Sequence, residues 1–144
     1  MMIARQLSVF LENKPGRLCA ATDALAREGI NLSALTLADT SEFGILRLLV
    51  DQPDRAKEIL TESGVTVRLT DVLVVAMDDA PGGAVGILHL LSEAGLNIEY
   101  MYACVGRASG KAIMVIRTDD IELAANILHR GGYGDINPAE VYRI

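Results

Sequence analysis

Apolar and polar residues alternate over residues 3–11, and this pattern predicts a β-strand. Residues 16–28 instead carry apolar side chains at helical spacing, and Gly29 then supplies a residue that tolerates the positive φ of a helix end. Strands are predicted at residues 32–38, 45–50 and 65–69 of this first half. A second helix is predicted between the last two of these strands, with Asp51 as its cap and Pro53 in its first turn. The order of elements is therefore β-α-β-β-α-β.

The second half of the chain follows the same order. Its predicted elements are a strand at residues 72–77, a helix at 82–94, strands at 98–105 and 112–116, a helix at 121–130 and a last strand at 139–143. Asp119 and Asp120 precede the second of these helices, where a carboxylate can accept hydrogen bonds from the free N–H groups of the first turn.

The two halves also match position by position. The residues that recur at a constant offset include Pro15 and Pro81, Gly16 and Gly82, Leu25 and Leu91, Gly29 and Gly95, and Asn31 and Asn97. The matching positions are turn residues and apolar residues, which determine the path of a backbone. The chain is therefore predicted to contain two copies of one structural unit.

A strand–helix–strand connection is right-handed, and two interleaved connections of this kind give an antiparallel sheet with both helices on one face. The sequence thus predicts an α+β protein of two ferredoxin-like βαββαβ sandwiches in tandem. The first domain is expected over residues 1–70 and the second over residues 71–144.

Two predicted strands, ILRLLV at residues 45–50 and AIMVIR at residues 112–117, are apolar at successive rather than alternate positions. A sheet with one face in water should alternate. We therefore expect the helix-free face or the sheet edges to be covered by the other copy or by a second chain. The alternative is an edge strand of unusually apolar composition.

Composition and charge narrow the class of protein. The 144 residues are 51% hydrophobic but only 4% aromatic, so an aliphatic core is expected. A net charge of −6 disfavours nucleic acid, whose backbone attracts clustered Lys and Arg. Charged residues or glycine interrupt every apolar run, which argues against a membrane span. Cys19 and Cys104 fit no disulfide motif, so a cytoplasmic location is expected.

A Pro-Gly pair lies at the predicted start of the first helix of each half, within Asn13–Leu18 (the first Pro-Gly turn) and Asp79–Ala84 (the second Pro-Gly turn). The first N–H groups of a helix lack acceptors and lie at the positive end of its dipole, so they attract a carboxylate. Gly16 has no Cβ, which lets a ligand approach its backbone. Asn13 and Asp79 offer oxygen atoms to an ammonium group. Each turn thus has groups suited to a zwitterion.

Structural explanations compete with this one. Pro-Gly at a helix start is common turn chemistry, and Asp79 can be a cap or an exposed loop charge. Asn31 and Asn97, which follow the first helix of each half, can bind the backbone of their own turns. Tyr100 and Tyr102 share one face of a strand, where they can line an apolar pocket or pack at an interface.

The stretches LENKPGRLCAATDALAREGINLSALTLAD (residues 11–39) and MDDAPGGAVGILHLLSEAGLNIEYMY (residues 77–102) resemble ACT domains, small regulatory modules that bind amino acids. The matching features are the Pro-Gly pair after the first strand, the apolar helix and the G-[IL]-N-[LI] entry to the second strand. The chain is similar to stand-alone tandem ACT proteins without a catalytic domain. The resemblance implies a ligand at an interface between ACT units, between the Pro-Gly helix start of one unit and the second strand of a neighbour.

Carried over by position, the resemblance implicates a set of ligand-binding residues in each half. These are Asn13, Pro15, Gly16, Arg17, Leu18, Asn31 and Leu32 in the first half, and Asp79, Pro81, Gly82, Gly83, Ala84, Asn97 and Ile98 in the second. Arg17 corresponds to Gly83, and Asn13 to Asp79, so two inequivalent sites are expected, of which one can be empty. Gly83 slightly favours the second site, because it opens the backbone at the helix start.

The sequence offers no recognisable set of acid, base and nucleophile. His89 and His129 lie in helices of different copies, and no His, Cys or carboxylate cluster has metal-ligand spacing. We therefore expect a protein that is not an enzyme and has no catalytic residue, no metal and no cofactor.

These observations predict a cytoplasmic regulatory protein that binds an amino acid or a related small carboxylate. It is expected to form a homodimer and to act through a partner enzyme, without binding nucleic acid or membranes. The alternative is a ligand-free dimerisation module that docks onto a partner enzyme. Insensitivity of the oligomeric state to every amino acid would favour this alternative.

Overall fold

The computed structural model describes residues 1–39, 42–104 and 111–142. Its elements are β1 (Met2–Glu12), α1 (Arg17–Arg27), β2 (Leu32–Asp39), β3 (Phe43–Val50), α2 (Pro53–Glu62), β4 (Thr66–Asp78), α3 (Val85–Glu93), β5 (Ile98–Cys104), β6 (Lys111–Thr118), α4 (Ile121–Arg130) and α5 (Pro138–Tyr142). The chain forms two compact units.

The N-terminal unit contains residues 5–70 together with Tyr142. Its strands lie in the order β2-β3-β1-β4. β3 pairs antiparallel with both of its neighbours, and its Leu48 lies opposite Leu7 of β1 and Leu35 of β2. β2 is therefore at an edge of this sheet.

Alternate residues of the central strands in this unit face α1 and α2. The buried core between the sheet and these helices consists of Leu7, Val9, Leu11, Ala21, Leu25, Ile30, Leu46, Leu48, Val50, Ala56, Leu60 and Val67. This core is entirely aliphatic, and full burial of a Leu side chain contributes about 1.5–3 kcal/mol. Both helices therefore pack on one face of the sheet.

The C-terminal unit contains residues 71–141 together with Met1–Ala4. Its strands lie in the order β1-β4-β6-β5, and β6 pairs antiparallel with β4 and β5. The core beneath α3 and α4 consists of Met1, Leu73, Val75, Ile87, Leu91, Met114, Ile116, Ala124 and Leu128. The fold class predicted from the repeat is confirmed: each unit has an antiparallel βαββαβ-like sandwich architecture with its helices on one face.

The predicted last strand over residues 139–143 is wrong, because the described part of this segment lies in the helix α5. Asn137 Oδ1 accepts a hydrogen bond from the Ala139 N–H at 3.0 Å, and Pro138 supplies the φ angle of a first helical residue. In the C-terminal unit the sheet position beside β4 is taken by Met1–Ala4 instead.

Three smaller differences concern element ends. The predicted strands at residues 65–69 and 72–77 are one strand, β4. Residue 105, the predicted end of the strand that became β5, lies outside the described residues. Asp51 does not cap α2, whose N-cap is Gln52 without a side-chain hydrogen bond, although Pro53 does begin the helix.

α3 begins at Val85, later than the predicted start at Gly82. The Gly83 N–H donates to the Ala80 carbonyl at 2.9 Å, and the Val85 N–H donates to the Gly82 carbonyl at 3.1 Å. These i to i+3 hydrogen bonds make a tight turn ahead of the α-helix.

The successively apolar strands are buried on both faces within one chain. Leu49 and Val50 of β3 are 1% and 0% exposed, and Val115 and Ile116 of β6 are both 0% exposed. In the C-terminal unit, Val75 of β4 lies in the core beneath the helices, and the next residue, Ala76, lies on the opposite face of the strand. Ala76 lines a cleft there together with the buried Ile136. Successive apolar residues of β3 and β6 are thus buried, as expected for strands covered on both faces.

Candidate functional site

The first Pro-Gly turn connects β1 to α1. Gly16 is the N-cap of α1 with φ +85°, a left-handed conformation that glycine adopts at little cost, and the helix has no side-chain cap. Across the described residues, the N–H groups of Leu18 and Cys19 have no hydrogen-bond acceptor. Two amides at the positive end of the helix dipole are therefore available to an anion.

A small pocket of about 80 Å³ lies at this turn. Its lining consists of Leu11, Glu12, Asn13, Lys14, Arg17, Leu18, Leu37 and Gly44. Three of the predicted site residues, Asn13, Arg17 and Leu18, thus converge on one pocket, with Glu12 and Lys14 as charged neighbours that the sequence argument did not single out. Both flank Asn13 in the sequence, so their position beside the turn was the available signal.

Glu12 holds the charged groups of this pocket together. Its Oε2 lies 2.9 Å from Lys14 Nζ and 4.0 Å from Arg17 Nη2. The hydrogen bond from Lys14, and then the positive charges of Lys14 and Arg17, lower the pKa of the Glu12 carboxyl below its usual value. The pocket therefore contains an ionised carboxylate and two cations beside the free amides.

Asn13 precedes Pro15 in the first Pro-Gly turn and fixes the position of this turn through its backbone. The Asn13 N–H donates to the Glu42 carbonyl at 2.9 Å, which ties the turn to the start of β3. The Asn13 side chain is exposed and has no hydrogen-bond partner within the described part of the chain. Its amide oxygen is thus accessible to an external donor.

The second Pro-Gly turn differs in its backbone. A Cβ placed on Gly83 would lie 1.9 Å from the Asp78 carbonyl oxygen, so close packing of the turn requires glycine there. Gly83 is therefore explained by its own turn rather than by ligand access. Asp79, Pro81 and Gly82 are exposed, while Ala84 packs against the core.

A side chain of the same unit lies against the start of α3. A Cβ on Gly86 would lie 2.7 Å from the Tyr133 hydroxyl, which places this phenol against the first turn of α3. The aromatic ring of Tyr133 packs against the core of the C-terminal unit. The two turns are thus structurally inequivalent, although Gly82, Val85 and Gly86 are themselves exposed.

An open cleft of about 310 Å³ lies beside the second turn, within the C-terminal unit. Its lining consists of Ala76, Met77, Asp78, Gly83, Lys111, Gly132, Tyr133, Gly134, Asp135, Ile136 and Glu140. Of these residues, only Gly83 was predicted from the sequence to bind a ligand. The glycine-rich run at residues 131–134 was the signal that a close-packed loop follows α4.

The predicted strand residues lie away from the turn of their own unit. Leu32 begins β2 opposite Val50, whereas the other end of β2 lies opposite Gly44, which lines the pocket. At about 3.3 Å per residue, Asn31 and Leu32 are separated from that end by most of the strand length. Within one unit, the structure does not bring them to the first Pro-Gly turn.

The second copy has the same arrangement. The Asn97 N–H donates to Asp119 Oδ1 at 3.2 Å, just before α4 begins. Ile98 lies opposite Thr118, while the end of β6 near the second turn begins at Lys111. Leu32 and Ile98 both pack against their cores, which accounts for their apolar character.

Other candidate chemistry is sparse in the part of the chain that the structure describes. His89 and His129 are exposed, and Tyr100 and Tyr102 are partly buried on β5. Among the described residues no group of three or more His, Cys, Asp or Glu side chains is arranged to hold a metal ion. None of the described helices combines the length and apolar character needed to cross a bilayer.

Comparison with known proteins identifies the class. A family described as an ACT domain pair matches residues 2–133, and the chain belongs to this family. The fold, the repeated Pro-Gly turns and the matched range thus agree with the resemblance noted in the sequence. A comparison with curated protein sequences finds no match.

Solved structures give more specific relatives. The chain is similar to protein BT0572 from Bacteroides thetaiotaomicron, with 38% identity, a TM-score of 0.91, and coverage of 99% of this chain and 98% of that one. The ligand-free regulatory subunit of aspartate kinase from Thermus thermophilus has a TM-score of 0.63 at 19% identity, over 90% and 97% of the two chains. The corresponding Thermus flavus subunit has a TM-score of 0.60 at 21% identity, over 89% and 91%. These two subunits share the fold.

Proposed function

We propose that this ACT domain pair is a regulatory protein that binds an amino acid or a related small carboxylate at the first Pro-Gly turn. The ligand carboxylate accepts hydrogen bonds from the Leu18 and Cys19 N–H groups. The Asn13 side chain accepts a hydrogen bond from the ligand ammonium group. The observation that carries the proposal is the uncapped start of α1 beside a pocket lined by both charged and apolar side chains.

The remaining predicted residues have supporting roles in this proposal. Pro15 and Gly16 set the turn that exposes the amides, and Arg17 lies in the pocket wall. Asn31 and Leu32 approach a ligand only from a neighbouring unit, since their own turn is at the other end of the sheet. The matching residues of the second half are Asp79, Pro81, Gly82, Gly83, Ala84, Asn97 and Ile98. They form the weaker site because Tyr133 lies against the first turn of α3 and because Ala80 and Gly83 replace Lys14 and Arg17.

The proposed regulatory role is supported by the family and by relatives that share the fold. The Thermus proteins are regulatory subunits of aspartate kinase, so a chain with this fold can serve as the regulatory subunit of an enzyme. We propose the same division of labour here, with a partner enzyme and with no catalytic activity in the chain itself. The protein is proposed to act in the cytoplasm, without binding nucleic acid or membranes.

We also propose that the protein functions as a homodimer. The pocket of about 80 Å³ is well below the 300 Å³ or more of sites that enclose ligands of drug size, so a second surface is needed to close it. Leu35, Leu37 and Phe43 are 53%, 49% and 47% exposed along the β2 edge and its turn. An exposed strand edge with apolar side chains is suited to pairing with another chain.

The same edge supports the second candidate function, a ligand-free dimerisation module that docks onto an enzyme. Under that hypothesis the pocket beside the first Pro-Gly turn binds no ligand. The two functions differ in whether amino acids change the oligomeric state, because a ligand held at the interface stabilises the assembly and the assembly in turn raises the affinity for the ligand.

Calorimetric titration of each of the twenty amino acids, followed by size-exclusion chromatography with and without the best ligand, tests the proposal. We expect saturable heat with at least one amino acid and a shift towards the dimer in its presence. Absence of heat and of any thermal shift with all twenty would contradict ligand binding. An unchanged elution volume together with a co-purifying enzyme would favour the second function.

A further inference from the structure

The charged residues at the first Pro-Gly turn have an unusual distribution of partners. Lys14 and Arg17 both approach the same oxygen of Glu12, at 2.9 Å and 4.0 Å. All three side chains line the pocket and are about half exposed or more. One carboxylate is thus shared by two cations, and the longer contact leaves the Arg17 guanidinium loosely held.

The second Pro-Gly turn has no such cations. Ala80 and Gly83 occupy the positions that correspond to Lys14 and Arg17. Asp78, which corresponds to Glu12, forms an ion pair with Lys111 of β6 instead. The paired cations on the turn are therefore a property of the first copy.

We propose that Lys14 and Arg17 make the pocket select an amino acid with an acidic side chain, and that Glu12 competes with this side chain for the two cations. This inference rests on the proposed function. Once the ligand α-carboxylate occupies the Leu18 and Cys19 amides, Arg17 and Lys14 are the remaining cations of the pocket. They bind the second carboxylate after one of them leaves Glu12.

An exchange of ion-pair partners sets this selectivity. Exposed ion pairs contribute little net free energy, so Glu12 can exchange a partner readily. The lowered pKa of Glu12 agrees with a carboxylate that already interacts with both cations.

The test compares L-aspartate with L-asparagine, which has nearly the same shape and no side-chain charge. Calorimetric titration of the full chain should show L-aspartate binding about twofold to fivefold more tightly than L-asparagine, the range expected for one exposed charge pair. Glu12→Gln should raise the affinity for L-aspartate by a similar factor and leave the affinity for L-asparagine unchanged. Arg17→Gln should lower the affinity for L-aspartate alone.

Glu28→Gln is the matched control. Glu28 is also about half exposed and ion-paired, with Arg55 at 2.6 Å, but it lies at the other end of α1. Glu28→Gln changes the net charge by the same amount as Glu12→Gln, but at a site separated from the turn by more than a Debye length of about 10 Å, so it separates the effect of net charge from a local effect at the pocket.

The outcomes separate this inference from the proposed function. Equal affinities for the two ligands, or a Glu12→Gln variant that behaves like Glu28→Gln, would overturn the selectivity and leave amino-acid binding standing. Absence of heat with every amino acid would overturn both. Thermal unfolding of each variant verifies that the changes in affinity come from folded protein.

Discussion

Two glycines at corresponding places in the repeat meet different physical constraints. Gly16 requires its left-handed backbone, with φ +85°, and no described atom lies within 4 Å of the place where a Cβ would stand. Gly83 requires the absence of a Cβ, because the Asp78 carbonyl oxygen would lie 1.9 Å away. The sequence identified both residues as special, but only tertiary packing distinguishes a conformational requirement from a steric one.

Alanine substitution at these two positions should therefore differ in effect. Gly16→Ala is expected to lower the free energy of unfolding by about 1 kcal/mol, the usual strain of a left-handed non-glycine residue. Gly83→Ala is expected to cost about 3 kcal/mol or more, because backbone atoms must move to relieve the overlap. Urea unfolding monitored by circular dichroism measures both. Equal losses would show that the turn at Gly83 is not packed as described.

At the scale of elements, the repeat predicted most of the fold correctly. Strand alternation, helical spacing and glycine stops placed α1, α2 and α4 close to their observed bounds, and Asp120 caps α4 by accepting from the Leu123 N–H at 3.1 Å. The late start of α3 was not predictable, because it depends on hydrogen bonds within the second Pro-Gly turn.

The error at α5 has a physical cause. Extending the repeat to its last strand ignored the local signal of Asn137 and Pro138, a cap and a first-turn residue that favour a helix. Local propensity prevailed in this segment, and the N-terminal residues took the sheet position beside β4. For the secondary structure of this segment, the capping sequence was therefore a better predictor than the position in the repeat.

The contribution of α5 to stability can be measured. Val141 is 1% exposed, so Val141→Ala removes two buried methyl groups and should lower the free energy of unfolding by about 2 kcal/mol. The neighbouring Glu140 is exposed, and Glu140→Ala should change this free energy by less than about 0.5 kcal/mol. Chemical unfolding of both variants provides the comparison. If Val141→Ala left the free energy of unfolding unchanged, α5 would not pack against the rest of the protein in solution.

For the whole molecule, the duplicated sequence predicted two like units but not how their Pro-Gly turns differ. The pocket residues Asn13, Arg17 and Leu18 were identified from their position at a helix start. The inequivalence of the turns comes from Tyr133, which follows α4 and reaches the start of α3 only in the folded unit. A distant aromatic side chain gives no signal in a comparison of the two turns.

The proposed function depends on free amides at the start of α1 that bind a carboxylate. The direct measurement is a ¹H–¹⁵N NMR titration of the full chain with L-aspartate and then with each other amino acid that gives heat. We expect the Leu18 and Cys19 amide resonances to shift most and to saturate, while those of Gly86 and Ile87 at the start of α3 stay in place. Saturable shifts at Gly86 and Ile87 with none at Leu18 and Cys19, or no shift with any amino acid, would contradict it.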